Sequence, residues 1–168
     1  MLLIATVAFV LFTIFTTERD FKSETAIEIN APKEKVWPYL NSMKSVNSWI
    51  PWMKNQPEMV EKYEGKSGEI GDTFSWQKKN SPNYQMKEII EEIIPYQKTR
   101  IKSIDASGQV GYVTFLLNDF NGKSKVSWVY ESELSAIEKL QKSKLKASFD
   151  ESAQMALENL KKTVENSK

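Results

Sequence analysis

The period of the hydrophobic pattern changes once along this chain, at Ser135, and this change restricts the fold more than any other feature. Before Ser135 apolar and polar residues largely alternate, which is typical of strands. After it, apolar residues recur every three to five positions, which predicts one long amphipathic helix. The alternating segments are joined by short turns, among them Asn121-Gly122, a strong hairpin signal. Strands joined in this way form an antiparallel sheet.

The order of the predicted elements gives the fold class. A first strand is followed by two short helices (33–43 and 45–53), about six further strands and the terminal helix. The predicted strands cover residues 21–29, 59–64, 72–79, 84–94, 98–105, 109–118 and 123–133, with a bulge near Ile89-Ile90. A curved sheet needs cover on its concave face, and only the terminal helix is long enough. We therefore predict an α+β fold, β-α-α-β6-α, in which the sheet wraps the helix and leaves a cavity.

Composition excludes several classes of function. The 168 residues suit one domain with a short appendage, and the net charge of +1 lacks the basic surface of a nucleic-acid binder. The chain contains no cysteine and no histidine, which removes disulfides, thiolate nucleophiles, Ser-His-Asp triads and the common zinc ligands. We expect no metal and no cofactor, and any acid–base chemistry must use Asp, Glu, Lys or Tyr.

The first seventeen residues carry no charge and are almost wholly apolar. As a helix they span about 25 Å, slightly less than the roughly 30 Å of a bilayer core. A cleaved signal peptide is the alternative, although no basic residue precedes the apolar run and Phe15-Thr16-Thr17-Glu18 is a poor cleavage site. A buried core helix is a third interpretation. We expect an uncleaved membrane anchor at residues 1–19, a single N-terminal pass, followed by one domain at residues 20–168.

Tryptophans and glycines concentrate in the first half of the domain. Trp49-Ile50-Pro51-Trp52 is followed by Gly65, Gly68 and Gly71 at three-residue spacing, and then by Trp76. Glycine accepts positive φ without steric cost, so this spacing predicts a tight reversal between two strands. A phosphate cradle would need a helix start after the glycines, and none is predicted there. The segment indicates a hairpin that carries Trp76 close to a helix that carries Trp49.

Five segments, in this order and spacing, match the motifs of a known superfamily. They are residues 27–37, which contain I-x-A-P-x-x-x-V-W, 49–52, which read W-x-P-W, the glycine-spaced 65–76, the strand segment 125–128 and the helix end 156–161. In these motifs the chain resembles the START-like (SRPBCC) superfamily, in its polyketide cyclase/dehydrase-like branch. The resemblance implies a helix-grip fold and a cavity for hydrophobic or amphipathic small molecules. It implies no shared catalytic residues, so none is transferred.

Seven residues are candidates for contact with a ligand. Tryptophan often lines cavities, but its usual role on an inner face is core packing, and both interpretations stay open for the tryptophans. Tyr112 and Thr114 lie together on one strand and have hydroxyls that a ligand could use; packing on the sheet face is their usual role. The candidates are Trp49, Trp76, Met86, Glu88, Tyr112, Thr114 and Trp128.

Glu88 is the candidate for acid–base chemistry. The alternation places it on one strand face with Tyr84, Met86 and Ile90. A carboxylate that faces an apolar cavity has a raised pKa and can act as a general acid or base. The alternative is a solvent-facing Glu88 beside Lys87, since charged side chains are rarely buried without a partner.

These patterns lead to one expected function and two alternatives. We expect non-catalytic binding of a small hydrophobic or amphipathic molecule, lipid-like or polyketide-like, by a membrane-tethered domain. The first alternative is a cyclase or dehydratase that uses Glu88 or a tyrosine for proton transfer. The second is a protein-interaction module in which Trp49 and Trp52 form an exposed patch.

Overall fold

A seven-stranded sheet with one long helix across its face forms the body of the protein. The computed structural model describes residues 18–53 and 57–167. The strands are β1 (Asp20–Ile29), β2 (Met59–Glu64), β3 (Thr73–Lys78), β4 (Ser81–Ile94), β5 (Lys98–Asp105), β6 (Val110–Phe120) and β7 (Lys123–Glu133). The helices are α1 (Lys33–Val36), α2 (Met43–Trp49), α3 (Ala136–Lys139) and α4 (Lys142–Asn166), with 3-10 turns at Trp37–Tyr39 and Pro51–Met53.

The sheet is antiparallel throughout, in the order β1-β7-β6-β5-β4-β3-β2. Strands β2 to β7 follow one another as a meander, and β1 joins the far edge beside β7. The predicted fold class, with seven strands and a helix-grip arrangement, is therefore confirmed for the described residues. Asn121 and Gly122 take positive φ and join β6 to β7 by the predicted two-residue turn.

The C-terminal half of α4 anchors the helix in the core. Its buried side chains recur at three- and four-residue spacing, as a helix that packs by one face requires. They are Ala153, Ala156, Leu157, Leu160 and Val164. Burial of each leucine side chain contributes about 1.5–3 kcal/mol to the free energy of folding. The same cluster contains residues of α2, of β1 and of strands β3 to β7, so the helix shares one core with six of the seven strands.

The glycine-spaced segment is the predicted hairpin loop between β2 and β3. Gly65, Gly68 and Gly71 have φ between 80° and 93°. The buried carboxylate of Asp72 follows, and its Oδ2 accepts hydrogen bonds from the backbone N–H groups of Met43 and Gly68, each at 3.0 Å. The loop is thereby fixed to the start of α2, and the glycines have a structural role.

A register shift between Ile90 and Glu92 is the predicted bulge in β4. Before it, even-numbered residues of β4 face α4, and Ile90 is fully buried. After it, the odd-numbered Ile93 packs against the core. Because a strand alternates its faces, the extra residue lets both halves of a 14-residue strand contribute to one inner face.

Several element boundaries differ from the sequence expectation, among them those of the two short helices, and two differences have a clear backbone cause. The predicted single terminal helix is split, because the backbone at Gln141 leaves the helical region (φ −118°, ψ 16°) between α3 and α4. A capping box between Ser135 and Glu138 starts α3. Strand β4 begins at Ser81, within the predicted turn, because positive φ at Asn80 tightens the reversal and lets Ser81 pair with Lys78.

The predicted N-terminal hydrophobic helix lies outside the described residues. Within residues 18–53 and 57–167, no helix combines the length and the apolar character that crossing a bilayer would require.

Candidate functional site

A cavity of about 370 Å³ lies between α4 and the inner face of the sheet. Five strands, the 3-10 turn after α2 and α4 itself contribute to its wall, so the tertiary fold assembles it. Its lining residues are Ser23, Trp52, Met86, Glu88, Ser103, Val113, Trp128, Tyr130, Ser148, Phe149, Ser152 and Ala153.

Aromatic rings form much of the apolar wall. Tyr130 on β7 stacks on Phe149 of α4, with ring centroids 4.3 Å apart and planes at 13°. Trp52 lies against Trp128, with centroids 6.2 Å apart. Gly111 makes room for the Tyr130 ring, since a Cβ at Gly111 would lie 2.7 Å from the Tyr130 hydroxyl oxygen. Burial raises the pKa of Tyr130, so its hydroxyl keeps its proton near neutral pH.

Glu88 is the acidic group in this wall. It stands opposite Ser103 of β5 and Phe74 of β3, which puts its side chain on the inner face. The Ser103 hydroxyl donates a hydrogen bond to Oε1 of Glu88 at 3.4 Å. Burial among apolar groups raises the pKa of Glu88 to about 7, and the Ser103 hydrogen bond opposes part of that rise. Near neutral pH this carboxyl can therefore accept or donate a proton inside the cavity.

A second polar contact lies where β1 meets α4. Ser23 lines the cavity and donates a hydrogen bond of 2.7 Å to Oδ1 of Asp150. Lys146, one helical turn earlier, forms an ion pair of 2.8 Å with Oδ2 of the same carboxylate. These two contacts lower the pKa of Asp150, so the carboxylate stays charged and paired at neutral pH. The pair fixes the N-terminal half of the helix to the edge strand.

Three of the seven predicted residues come together in this cavity: Met86, Glu88 and Trp128. Trp49 is fully buried behind Trp128, with ring centroids 5.9 Å apart, and its indole N–H donates to the Tyr39 carbonyl. Trp76 stands opposite Met86 on the inner face and packs against the core, but it does not line the cavity. Because Trp49 is buried, it forms no exposed patch with the half-exposed Trp52.

Tyr112 and Thr114 lie on the other face of the sheet. Their neighbour Val113 lines the cavity, and adjacent strand residues point to opposite faces. The guanidinium of Arg100 lies 4.2 Å from the centroid of the Tyr112 ring and donates a hydrogen bond to the Thr114 hydroxyl. The structure therefore does not bring these two hydroxyls to the cavity.

Sequence reasoning did not single out most of the remaining lining residues. The period-two pattern of β7 places Tyr130 on the same face as Trp128, so its position in the wall follows once Trp128 is known to face α4. Ser148, Phe149 and Ser152 share a helix face, but their approach to the sheet depends on how α4 is positioned. Within the described residues, no group of three or more acidic side chains is arranged to hold a metal ion.

A curved antiparallel sheet that grips a C-terminal helix over an apolar cavity defines the helix-grip class of domains. The chain belongs to the family of Activator of Hsp90 ATPase homolog 1-like proteins, whose family model matches residues 30–165. This family lies within the START-like superfamily that the sequence motifs predicted. No curated protein sequence matches the chain significantly.

Solved structures share the fold at low sequence identity. Protein CV1439 from Chromobacterium violaceum is 17% identical, with a TM-score of 0.62 over 88% of this chain and 99% of that one. The Aha1 dimer from Colwellia psychrerythraea is 16% identical, with a TM-score of 0.61 over 86% and 96%. SA2116 from Staphylococcus aureus, a protein of unknown function, is 11% identical, with a TM-score of 0.68 over 88% and 95%. At these identities the likeness establishes the fold alone.

Proposed function

We propose that this protein binds a small hydrophobic or amphipathic molecule in the cavity between α4 and the sheet. The observation that carries the proposal is a cavity of about 370 Å³ with four aromatic rings in its wall and one ionisable carboxyl among its described lining residues. Ligand sites typically measure about 300–1,000 Å³ and combine apolar walls with a few polar groups. Membership of a START-like family supports the same class of function.

Affinity and orientation would come from different parts of the wall. Burial of apolar ligand surface contributes roughly 25 cal/mol per Å², and the rings of Trp52, Trp128 and Phe149 supply the matching protein surface. Glu88 and Ser103 supply hydrogen-bonding groups on one side of the cavity. A ligand with an apolar body and one polar group would satisfy both parts.

Native mass spectrometry of the purified full chain tests this proposal, with solvent extraction of any small molecule that co-purifies. Ser152 lines the cavity, so Ser152→Phe should fill it and remove the bound mass. Gln154, two positions along the same helix, is exposed, so Gln154→Phe is the matched control and should retain the bound mass. Equal ligand occupancy in both variants would place binding outside the cavity and overturn the proposal.

The Glu88 carboxyl supports a second candidate, an enzyme of cyclase or dehydratase type. In a dehydration, the Glu88 carboxylate would accept a proton from a ligand C–H group. The electron pair of that C–H bond would form a carbon–carbon double bond, and the hydroxyl on the neighbouring carbon would leave as water with the proton that Glu88 had accepted. The raised pKa of Glu88 suits such a step, because the group exchanges its proton near neutral pH.

Mass analysis of the extracted ligand separates binding from catalysis. A binding protein returns the ligand unchanged after incubation with fresh protein. A dehydratase returns a product lighter by one water, and Glu88→Gln should abolish that change even at ligand concentrations that saturate the variant. Conversion at the same rate by Glu88→Gln would exclude this carboxyl as the base.

We also propose that the uncharged residues 1–17 tether the domain to a membrane. The support is the sequence alone, since these residues are apolar enough and nearly long enough to cross a bilayer. Fractionation of cells that express the full chain tests the tether. Recovery in the carbonate-washed membrane pellet at full intact mass is expected. Recovery of a shortened chain in the supernatant would support a cleaved signal peptide instead.

A further inference from the structure

The charges around the cavity restrict its ligand more narrowly than its apolar walls do. Among the described residues that line it, Glu88 is the one that carries a formal charge, and no lysine or arginine is among them. The remaining polar side chains there are serines and Tyr130. A ligand carboxylate or phosphate would therefore meet a like charge and no cation of the described lining.

The aromatic rings of the wall also favour a positively charged ligand over a negatively charged one. Four of the twelve lining side chains are aromatic: Trp52, Trp128, Tyr130 and Phe149. Aromatic rings carry negative charge on their faces, and organic cations bind to such faces. An acidic group and a concentration of rings in one cavity both favour positive charge on the ligand.

Glu88 also has hydrogen-bonding capacity to spare. A carboxylate can accept about four hydrogen bonds. Among the described residues, Glu88 receives one side-chain hydrogen bond, from Ser103, and at 3.4 Å it is long. An ammonium group of a ligand could donate to the remaining acceptor positions and compensate the half-buried charge.

We propose that the cavity selects hydrophobic organic amines, with the protonated nitrogen bound to Glu88 and the apolar body among the four rings. This inference rests on the proposed binding function and names the ligand class for the same cavity. Charge-assisted hydrogen bonds are about twice as strong as neutral ones, so an amine should bind at least about tenfold more tightly than a neutral ligand of equal length.

The surrounding groups leave Glu88 as the titrating group of the cavity near neutral pH. Tyr63 of β2, hydrogen-bonded to Asn47, and Tyr130 of β7 have pKa values raised by burial, so both stay neutral. On α4, Asp150 is paired with Lys146. A bound amine should lose affinity as the pH falls below about 7 and Glu88 gains its proton.

Calorimetric titration of the purified full chain with n-octylamine, 1-octanol and octanoate at pH 8 tests the proposal. These probes share an eight-carbon body and differ in the charge of the head group. The expected order of affinity is amine, then alcohol, then carboxylate, with the amine about tenfold weaker at pH 6. Ser152→Phe should remove binding of all three probes if they enter the cavity.

Two carboxyl variants assign the preference to Glu88. Glu88→Gln should reduce octylamine affinity at least about tenfold, a larger loss than it causes for octanol. Glu91→Gln makes the same change on the same strand at an exposed residue paired with Lys102, and should alter neither. Circular dichroism checks that both variants are folded. If Glu88→Gln does not fold, Ser103→Ala is a milder change to the same hydrogen-bonded pair.

The outcomes separate the two proposals. Octanoate or octanol binding as tightly as octylamine would overturn the amine preference and leave ligand binding in place. An amine preference that persists in Glu88→Gln would overturn the role of this carboxyl. If none of the three probes binds and no molecule co-purifies, the proposed function itself fails.

Discussion

Glu88 and Ser103 stand opposite each other on β4 and β5, and the Ser103 hydroxyl lies 3.4 Å from Oε1 of the carboxyl. This contact only partly compensates for the burial of Glu88 beside the cavity. The pKa of Glu88 accordingly rises from an ordinary value of 4.5 to about 7. The consequence is a ligand-free protein in which one carboxyl is held near its titration point at physiological pH.

Glu88→Gln should stabilise the ligand-free protein at pH 8 and have little effect at pH 5. The folded chain retains a proton on Glu88 that the unfolded chain releases above its ordinary pKa. The contribution of Glu88 to the free energy of unfolding should therefore fall as the pH rises from 4.5 to about 7 and stay constant above that. The variant removes this loss, which is on the order of 3 kcal/mol.

Urea denaturation of both proteins at pH 5 and pH 8 measures the difference. Glu91→Gln provides the control, because Glu91 is exposed and its replacement should not change the pH dependence. A constant difference between wild type and Glu88→Gln at both pH values would contradict the raised pKa.

Asp72→Asn should destabilise the protein by about 1–3 kcal/mol. The buried Oδ2 of Asp72 accepts the N–H groups of Met43 and Gly68, and an amide replaces that charged acceptor with a weaker one. Chemical denaturation measures the loss. Asp119→Asn is the control, since Asp119 is exposed and its ion pair with Lys33 lies on the surface. Equal destabilisation by Asp72→Asn and Asp119→Asn would show that the hydrogen bonds of Asp72 add no more stability than a surface ion pair.

Gly65→Ala should cost more stability than Gly108→Ala. Both glycines have nearly the same positive φ, 84° and 83°, so the backbone penalty for alanine, about 1 kcal/mol, is shared. A Cβ at Gly65 would lie 2.6 Å from the Gly71 carbonyl oxygen, whereas a Cβ at Gly108 has open space. Thermal melts of the two variants compare them directly, and equal melting temperatures would mean that the loop relaxes without cost.

Ser23→Ala should lower the free energy of unfolding by about 1.5–3 kcal/mol, the usual range for a hydrogen bond to a charged group. The lost contact is the 2.7 Å bond from Ser23 to Asp150, which joins β1 to α4. Asp150 keeps its pairing with Lys146, so the value should lie at the lower end. Urea denaturation gives the magnitude, and a neutral result would indicate that Lys146 alone satisfies the carboxylate.

The succession of strands along the chain and the terminal helix could be predicted from local patterns, because alternation, turn residues and helical period are properties of neighbouring residues. Asn121-Gly122 gave the last hairpin, and the slip at Ile89-Ile90 gave the bulge in β4. The start of β4 could not be predicted, because it depends on the positive φ of one residue, Asn80, and the residue pattern does not specify that angle.

The wall of the cavity was only partly predictable. Glu88 and Met86 share a face in any register, so their position followed once that face was turned toward the helix. Tyr112 and Thr114 are candidates from the sequence but lie on the opposite face, because both faces of β6 carry apolar and polar residues and the sequence does not show which one is inner. Ser148 and Phe149 line the cavity because of where α4 lies, and the position of α4 depends on its packing against residues that are distant in the sequence.

Few residues serve both the core and the cavity. Of the twelve side chains that line the cavity, Trp128 and Ala153 belong to the buried core, and Val113 packs at its border. The other nine lie outside the main hydrophobic cluster. Evolution can therefore change what such a domain recognises by drift at a handful of wall positions, while the fold persists in relatives that share few identical residues.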